Sequence, residues 1–297
     1  MLNSIQDAML SLMPLKQSYL SLSTVVPSVK GSPSTSLSRS WKKALAVLLL
    51  CYYGGHATAQ QDSLRHSVGV SYEHTHFDKQ FTDDWKVTSL EYSYKTTRVA
   101  YVGRVNYASR FGQQGVQLEA QAYPLISKRV YAYLGASYSN NSPVFPTYTT
   151  GATVYASLGK GWEVEGGYRQ LHFNENIWVG SGGLSKYLGA WLVNFTSYLS
   201  INSPANNQSY FFTAKRFLSD RGDMVWFQAG SGVSPDERRN VQLSTGQLTS
   251  KRLTAGTRFF TTKRTLAQIT AGYSRDEYRE KTYGNQWYGS AGMAFLF

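Results

Sequence analysis

Two histidines and an aspartate stand at alternate positions in the first strand-like segment of the sequence. His74, His76 and Asp78 share one face of this segment if it is extended, because successive side chains of a strand point to opposite sides. A histidine oriented by a partner can act as a general base, and outer-membrane lipid hydrolases carry catalytic His and Ser at the lipid-facing rim of a barrel. His172 stands near the outer end of the seventh segment. The same residues also fit the role of polar groups at a membrane interface. Lipid modification by these histidines is therefore kept as an alternative hypothesis.

Other catalytic and metal-binding patterns are missing from the sequence. It contains no Gly-x-Ser-x-Gly nucleophile elbow, no His-Glu-x-x-His zinc motif and no phosphate-binding loop. Two histidines are too few ligands for a structural metal site, so we expect no metal and no cofactor. Cys51 is the one cysteine and lies in an apolar run that processing would remove, which excludes thiolate catalysis and disulfides in the mature chain. The sequence therefore predicts a protein that is not an enzyme.

Charged side chains recur at alternate positions along most later segments, opposite apolar ones. In one such segment Val99, Tyr101 and Val105 share a face, while Arg104 and Asn106 lie on the other. This alternation predicts a polar interior that either screens solutes or is filled by a ladder of ion pairs, and the spacing leaves both hypotheses open. The predicted lumen-facing polar set is Glu73, Glu91, Arg98, Arg104, Glu119, Glu163, Glu165, Arg169, Lys215, Arg252 and Arg258.

A short apolar run from Ala44 to Tyr53 has the flanks of an export signal. Basic residues precede the run, and the small residues Ala57-Thr58-Ala59 follow it. The run is too short to span a membrane as a helix, which needs about 20 residues. The predicted organisation is a disordered N-terminal extension over 1–40, a cleaved signal peptide over 41–59 and an outer-membrane β-barrel over 60–297.

The composition favours a barrel over a helical membrane protein. Charged residues make up 16% of the chain and aromatic residues 14%, while the mean hydropathy is -0.34. Averaging an apolar outer face with a polar inner face gives such values, whereas spanning helices would raise the mean hydropathy. The formal net charge is +12, and part of this surplus lies in the predicted leader. In an exported protein the remaining surplus fits anionic lipid better than nucleic acid.

Alternating apolar and polar runs, separated by turn residues, repeat from His66 to the C terminus. They predict an all-β fold, a closed antiparallel transmembrane β-barrel of about 14 strands, with 12 possible and with both termini periplasmic. Short connections alternate with connections that are mostly longer, as periplasmic turns and extracellular loops do. The predicted strands begin near 66, 84, 98, 114, 129, 149, 162, 175, 189, 208, 223, 251, 265 and 285.

Aromatic residues near strand ends and at the C terminus are expected to contact lipid. The last segment places Trp287, Met293, Phe295 and Phe297 on one face, and we predict that these residues form the C-terminal signal for the outer-membrane insertion machinery. Rings near other strand ends favour the headgroup region and predict an aromatic girdle. Its expected members include Trp85, Tyr123, Tyr148, Trp178, Tyr187 and Tyr283.

Several short motifs resemble the YaiO-type outer-membrane β-barrel family. They are Ser71-Tyr72-Glu73-His74, Trp85 at the start of the second strand, Gln121-Ala122-Tyr123-Pro124, the stretch from Gly182 to Trp191, and the closing strand. The resemblance extends from about Arg65 to Phe297, and its most specific part is the Gly-Gly-Leu-Ser-Lys-Tyr hairpin. It implies an outer-membrane location and an occasional association with surface polysaccharide systems, but no catalytic residues.

The sequence thus predicts an outer-membrane barrel that is a channel or a component of envelope or surface-polysaccharide assembly and export. The alternative is a lipid-modifying enzyme with a histidine at the outer rim. The expected partners are outer-membrane lipid and lipopolysaccharide, the insertion machinery and, for the second role, polysaccharide machinery. Nucleic acid is not expected as a partner.

Overall fold

The computed structural model of the chain describes residues 65–141, 144–200, 208–233, 249–279 and 281–297. Fourteen strands lie within these residues, and each is hydrogen-bonded to its neighbours in sequence in an antiparallel manner. β1 also pairs with β14, so the sheet closes into a barrel without a free edge. The strands are β1 (His66–Phe77), β2 (Trp85–Lys95), β3 (Val99–Arg110), β4 (Gln113–Pro124), β5 (Val130–Ser139), β6 (Tyr148–Gly159), β7 (Trp162–His172), β8 (Asn176–Leu188), β9 (Trp191–Ser200), β10 (Gln208–Phe217), β11 (Met224–Val233), β12 (Thr249–Phe260), β13 (Thr265–Arg279) and β14 (Thr282–Leu296).

The predicted closed antiparallel barrel is confirmed, with 14 strands rather than 12. Each strand begins within three residues of the position predicted from the sequence. Among the described residues, no helix is long and apolar enough to cross a membrane. The predicted extension over 1–40 and the signal peptide over 41–59 lie outside the described residues.

The barrel has two unlike ends. The turn end carries the start of β1, the end of β14 and six connections, at 96–98, 125–129, 160–161, 189–190, 218–223 and 261–264. The loop end carries the other seven, at 78–84, 111–112, 140–147, 173–175, 201–207, 234–248 and 280–281. Short turns and longer loops therefore alternate, apart from three short connections at the loop end. The tightest turns need positive φ angles, as at Lys160 (51°) and Gly161 (78°) between β6 and β7.

The two ends also differ in charge. Exposed cations cluster at the turn end, where the acidic residues of the connections are Asp220 and Asp223. The basic residues in or beside these connections are Arg65, Arg98, Lys128, Arg129, Lys160, Arg221, Lys263 and Arg264, here called the basic ring. The described connections at the loop end carry the carboxylates Asp78, Asp83, Asp84 and Glu175 and the lysines Lys79 and Lys281.

Alternation sorts the side chains of each strand into an outer and an inner face. On β2 the outward Leu90 and Tyr92 are 56% and 47% exposed, whereas Glu91 between them is partly buried inside the barrel. The C-terminal residues Met293 and Phe295 likewise face outward, at 54% and 49% exposure, and Trp287 and Phe297 share their face. Large apolar groups therefore form a continuous lipid-facing surface around the barrel.

The predicted aromatic girdle is only partly correct. Tyr283 faces outward, but Trp85 and Tyr123 are 1% and 2% exposed and lie on the inner face of the barrel. Position near a strand end was not sufficient to predict a lipid-facing ring, because the parity of a residue along its strand decides whether it faces outward or inward. Outward rings at the turn end come instead from Trp162 and Trp191, which stack with the basic side chains of Lys186 and Arg216.

Candidate functional site

The inner face of the barrel brings together most of the polar residues predicted from the sequence. Ten of the eleven lie within strands on the inward parity, namely Glu73, Glu91, Arg104, Glu119, Glu163, Glu165, Arg169, Lys215, Arg252 and Arg258. Arg98 lies in the turn that precedes β3, where it is exposed at the turn end.

Arg104 joins three adjacent strands in one row of side chains. The register places Glu91 of β2 and Glu119 of β4 directly opposite it on either side. Its Nε donates to Glu91 at 3.0 Å and its Nη1 donates to Glu119 at 3.1 Å. The guanidinium therefore holds two carboxylates at once in partly buried, charge-assisted contacts. In this part of the lumen the charged side chains pair with one another, as the ladder hypothesis predicts.

A row of uncharged hydrogen bonds runs next to this ion triad. Ser89 donates to Asn106 at 2.7 Å, and Asn106 donates to Gln117 at 3.1 Å. The row continues from Gln117 to Ser137 at 3.1 Å and from Ser137 to Thr149 at 2.7 Å. This row of hydrogen bonds crosses five neighbouring strands from β2 to β6. It gives these polar groups protein partners, so they do not need contact with water.

Two glutamates of β7 are also hydrogen-bonded to the barrel wall. Glu163 is 1% exposed and accepts from the Tyr131 hydroxyl at 3.1 Å and 3.2 Å. Glu165 accepts from the Thr196 hydroxyl at 2.7 Å. The Tyr131 ring stacks on Tyr155 at a centroid distance of 4.6 Å. These contacts fix the acidic side chains near the turn end.

The inward cations near the turn end are buried as well. Lys215 and Arg258 are 5% and 7% exposed. Arg258 donates from Nε and Nη2 to the carbonyl oxygen of Gly222, at 3.2 Å and 3.0 Å. This contact anchors the 218–223 connection to β12.

Glu73, Arg169 and Arg252 differ from the rest of the set because they form no hydrogen bond with another described residue, and all three are partly buried. Arg110 and Arg252 are the cations that act on Glu73 electrostatically. Arg110 itself is engaged, since its Nη1 donates to the Val144 carbonyl at 3.3 Å and its guanidinium lies 5.2 Å from the Phe145 ring. Charges without a protein partner are stable only where water or a solute reaches them.

Small side chains line the part of the wall formed by β14, β1 and β2. Ser71 faces the lumen yet is exposed, and it lies opposite Gly292 of β14 and Ser89 of β2. The side chain of Ser71 is thus accessible to solvent from the inner face. Side chains therefore bridge the inner face on β2–β6, whereas Ser71 of β1 remains exposed there.

His74 and His76 near the loop end share an aspartate that is not the one on their own face of β1. Asp84 accepts hydrogen bonds from His74 Nε2 and His76 Nδ1, both at 2.9 Å, whereas Asp78 binds Asn285. Partial desolvation raises the pKa of Asp84, but the hydrogen bonds from His76 and His74 outweigh it and hold the pKa below its usual range. Sequence parity linked these histidines to Asp78 and missed Asp84, which reaches them across the β1–β2 hairpin. No group of three His, Asp or Glu side chains within the described residues is arranged to hold a metal ion.

A second feature that the sequence did not reveal is a set of rings lying flat on inward glycines. A Cβ added at Gly135 would lie 2.0 Å from the Tyr133 hydroxyl oxygen, and one added at Gly272 would lie 2.1 Å from Tyr288 Cε1. Each ring therefore covers a glycine on the wall instead of projecting into the lumen. The sequence signal for this packing is an inward glycine that lies two positions from a tyrosine on the same strand, or directly opposite a tyrosine on the neighbouring strand.

The profile of the YaiO membrane beta barrel domain matches residues 65–237. The chain belongs to the YaiO membrane β-barrel family. The YaiO match and the closed barrel together place it in the outer membrane. No curated protein sequence matches the chain.

Solved barrels share the fold of this YaiO chain at low sequence identity. The CymD monoaromatic hydrocarbon channel is 8% identical, with 80% of this chain and 90% of that chain covered at a TM-score of 0.55. A bacterial polysaccharide outer membrane secretin is 11% identical, with 80% and 100% covered at a TM-score of 0.50. Omp33 of Acinetobacter baumannii is 12% identical, with 80% and 100% covered at 0.48. At these identities the likeness concerns the fold alone.

Proposed function

We propose that this barrel is a channel for small polar solutes across the outer membrane. The observations that carry the proposal are the exposure of Ser71 on the inner face and the lack of a hydrogen-bonding partner among the described residues for the partly buried charges of Glu73, Arg169 and Arg252. Exposed inward groups require a water-filled path, and a barrel of 14 strands lies between the filled 8-stranded type and the open porins of about 16 strands. The Arg104 ion triad narrows one side of this path without closing the other.

A role in envelope or surface-polysaccharide assembly and export is the second candidate. It draws on the family resemblance, and one fold neighbour is described as a polysaccharide outer membrane secretin. A saccharide would use the same water-accessible wall of Ser and Gly side chains along β14–β2. This role predicts a stable partner protein that purifies with the barrel, whereas a simple solute channel predicts none.

We propose no enzymatic activity for the rim histidines. His74 and His76 both bond to Asp84, and within the described residues neither one contacts a Ser or Thr hydroxyl. A base and a carboxylate without a nucleophile do not complete a hydrolytic site. Unaltered lipid in cells that express the wild-type protein, compared with cells that express His74→Ala, is the expected result.

The proposal includes an orientation and a route to the membrane. We place the turn end and both termini in the periplasm, after cleavage of a signal peptide over 41–59. The insertion machinery would bind the outward residues Trp287, Met293, Phe295 and Phe297. Arg275, Arg279 and Lys281 at the loop end would then face lipopolysaccharide phosphates.

Planar bilayer recording tests the channel directly. The purified, folded protein is expected to insert with discrete conductance steps. Ser71→Trp should reduce the step size because it fills the open wall, while the outward neighbour Val70→Trp serves as the matched control and should leave it unchanged. A folded barrel that conducts no ions would overturn the proposal.

A further inference from the structure

The lumen arginines fall into two classes by their protein partners. Arg104 binds two glutamates, and Arg110 and Arg258 donate to backbone carbonyls. Arg169 and Arg252 have no hydrogen-bond acceptor among the described residues, and both keep solvent exposure. A guanidinium offers five N–H donors in a planar fork, so these two side chains present unused donors to the lumen.

Both arginines occupy similar depths on walls that are five strands apart. Arg169 lies three residues from the loop end of β7, and Arg252 lies three residues from the loop end of β12. Glu73 of β1 lies four residues from the loop end of its strand. The loop half of the lumen thus carries the partly buried Arg169 and Arg252 together with the engaged Arg110, the partly buried Glu73 and the buried Asp276.

The surroundings of the two arginines repeat the same construction. Arg169 acts electrostatically on the hydroxyl of Tyr133, whose ring lies flat on Gly135. Arg252 acts in the same way on Tyr288, whose ring lies flat on Gly272 and whose hydroxyl contacts Thr254 at 2.5 Å. In both places the glycine lets a large ring lie against the wall instead of projecting into the lumen. Two unrelated strand pairs therefore build an accessible arginine beside a phenol.

If Arg169 or Arg252 belonged to a ladder of ion pairs, a carboxylate would have to lie within ion-pairing distance of its guanidinium. Other acidic residues on the inner face are committed elsewhere. These are Glu91 and Glu119 to Arg104, Glu163 to Tyr131, Glu165 to Thr196 and Asp276 to Ser250. Glu73 faces both Arg110 and Arg252 without forming an ion pair with either one. The accessible arginines are consequently available to an anion from solution.

We propose that Arg169 and Arg252 are anion-binding positions and that the channel prefers small solutes carrying carboxylate or phosphate groups. This inference rests on the proposed channel function and specifies its substrate class. Guanidinium forks match the oxygens of both groups through paired, charge-assisted hydrogen bonds. The basic ring at the turn end acts in the same direction, since a cationic mouth raises the local concentration of anions.

The zero-current potential under a KCl gradient measures this preference. Wild-type protein in a planar bilayer should show a chloride-to-potassium permeability ratio above one. The double variant Arg169→Gln, Arg252→Gln should lower the ratio by about twofold or more, because two fixed charges leave the lumen. Glu73→Gln should raise it. Lys86→Gln, which removes an outward cation of β2, is the matched control and should leave the ratio unchanged.

Addition of inorganic phosphate provides an independent measurement. Phosphate on either side should reduce the chloride current through the wild type at concentrations that leave the double variant unaffected. A cation-selective or unselective wild type, or a double variant that keeps the full anion preference, would refute the anion sites while leaving a conducting channel in place. A barrel that conducts nothing would instead refute the channel itself. Circular dichroism and the mobility shift on heating confirm that each variant is folded before it is recorded.

Discussion

His66 and Phe297 close the barrel through a reciprocal pair of backbone hydrogen bonds. His66 N donates to the Phe297 carbonyl at 3.0 Å, and Phe297 N donates to the His66 carbonyl at 2.9 Å. Their rings also stack at a centroid distance of 5.6 Å. The last residue of the chain is thus the last rung of the β1–β14 seam.

Deletion of Phe297 should impair closure and assembly. Loss of the two hydrogen bonds should cost about 2 kcal/mol, and the lipid-facing ring is lost as well. The fraction of protein that resists unfolding in detergent without heating measures the effect in cells. Phe259→Ala removes an outward ring from β12, away from the seam, and should assemble normally. Equal assembly of the Phe297 deletion and the wild type would contradict the role of the seam.

Substitution of Arg104 should destabilise the barrel through its two glutamates. Arg104→Gln leaves Glu91 and Glu119, which flank it on the two neighbouring strands, without their shared cation, at an expected cost of about 3 kcal/mol in the free energy of unfolding. Urea unfolding in lipid vesicles measures this cost. Adding Glu91→Gln and Glu119→Gln to the same chain should recover most of it, and an unrescued triple variant would argue against the ion triad as the cause.

A side chain at either glycine beneath a tyrosine should narrow the lumen. Gly135→Ala and Gly272→Ala each place a Cβ within about 2 Å of a ring atom, so the ring must swing off the wall. The expected result is a smaller single-channel conductance with a stability loss of about 1 kcal/mol. Gly103→Ala is the control, since nothing lies within 4 Å of an added Cβ there. Unchanged conductance in both variants would mean that the rings do not border the ion path.

Acid should loosen the β1–β2 connection through Asp84. The folded-state pKa of this carboxyl is depressed, because hydrogen bonds from His76 and His74 outweigh the desolvation that raises it. Its contribution to stability is therefore present above the unfolded pKa and is lost as the pH falls through the folded pKa. Hydrogen exchange of residues 78–84 should accelerate over that range. Asp84→Asn should exchange quickly at neutral pH and lose the pH dependence; the same acid response in both proteins would point to another group.

Cysteine labelling should reveal the orientation of the barrel. Cys51 lies in the predicted leader, so the processed chain offers no thiol of its own. Lys281→Cys at the loop end is expected to react on intact cells with a polymer-linked maleimide too large for porins. Arg98→Cys at the turn end should react only after the outer membrane is permeabilised. The opposite pattern would reverse the assignment of the two ends.

The fold could be predicted from the alternation of apolar and polar residues, because a membrane barrel requires this alternation in every strand. Tyr101 and Val105 must meet lipid while Arg104 between them must not, and this constraint is visible within a single segment. Strand ends were harder to place, since hairpins continue beyond the lipid. β13 and β14 are each 15 residues long and meet at 280–281, where the sequence suggested a longer loop.

Contacts between strands could not be read from the sequence in the same way. His76 binds Asp84 and not Asp78 because the hairpin returns Asp84 to the outer face, a geometry that depends on the path of the connection. The division of the lumen arginines into paired and accessible ones depends on register, which decides that Glu91 and Glu119 flank Arg104 while no acid flanks Arg169. Alternation identifies the face of each residue, but the neighbour across the sheet requires the assembled barrel.

The unequal charges of the two mouths make the barrel an electrically polar tube. Cations such as Arg129 and Arg264 predominate in the described connections of one opening, whereas those of the other opening carry carboxylates such as Asp83 and Glu175 together with fewer lysines. Reversing the applied voltage exchanges which opening supplies the mobile ions, so salt accumulates in the tube at one polarity and is depleted at the other. The current at equal and opposite voltages should therefore differ, and the molecule should act as a rectifier whose direction reports how it sits in the membrane.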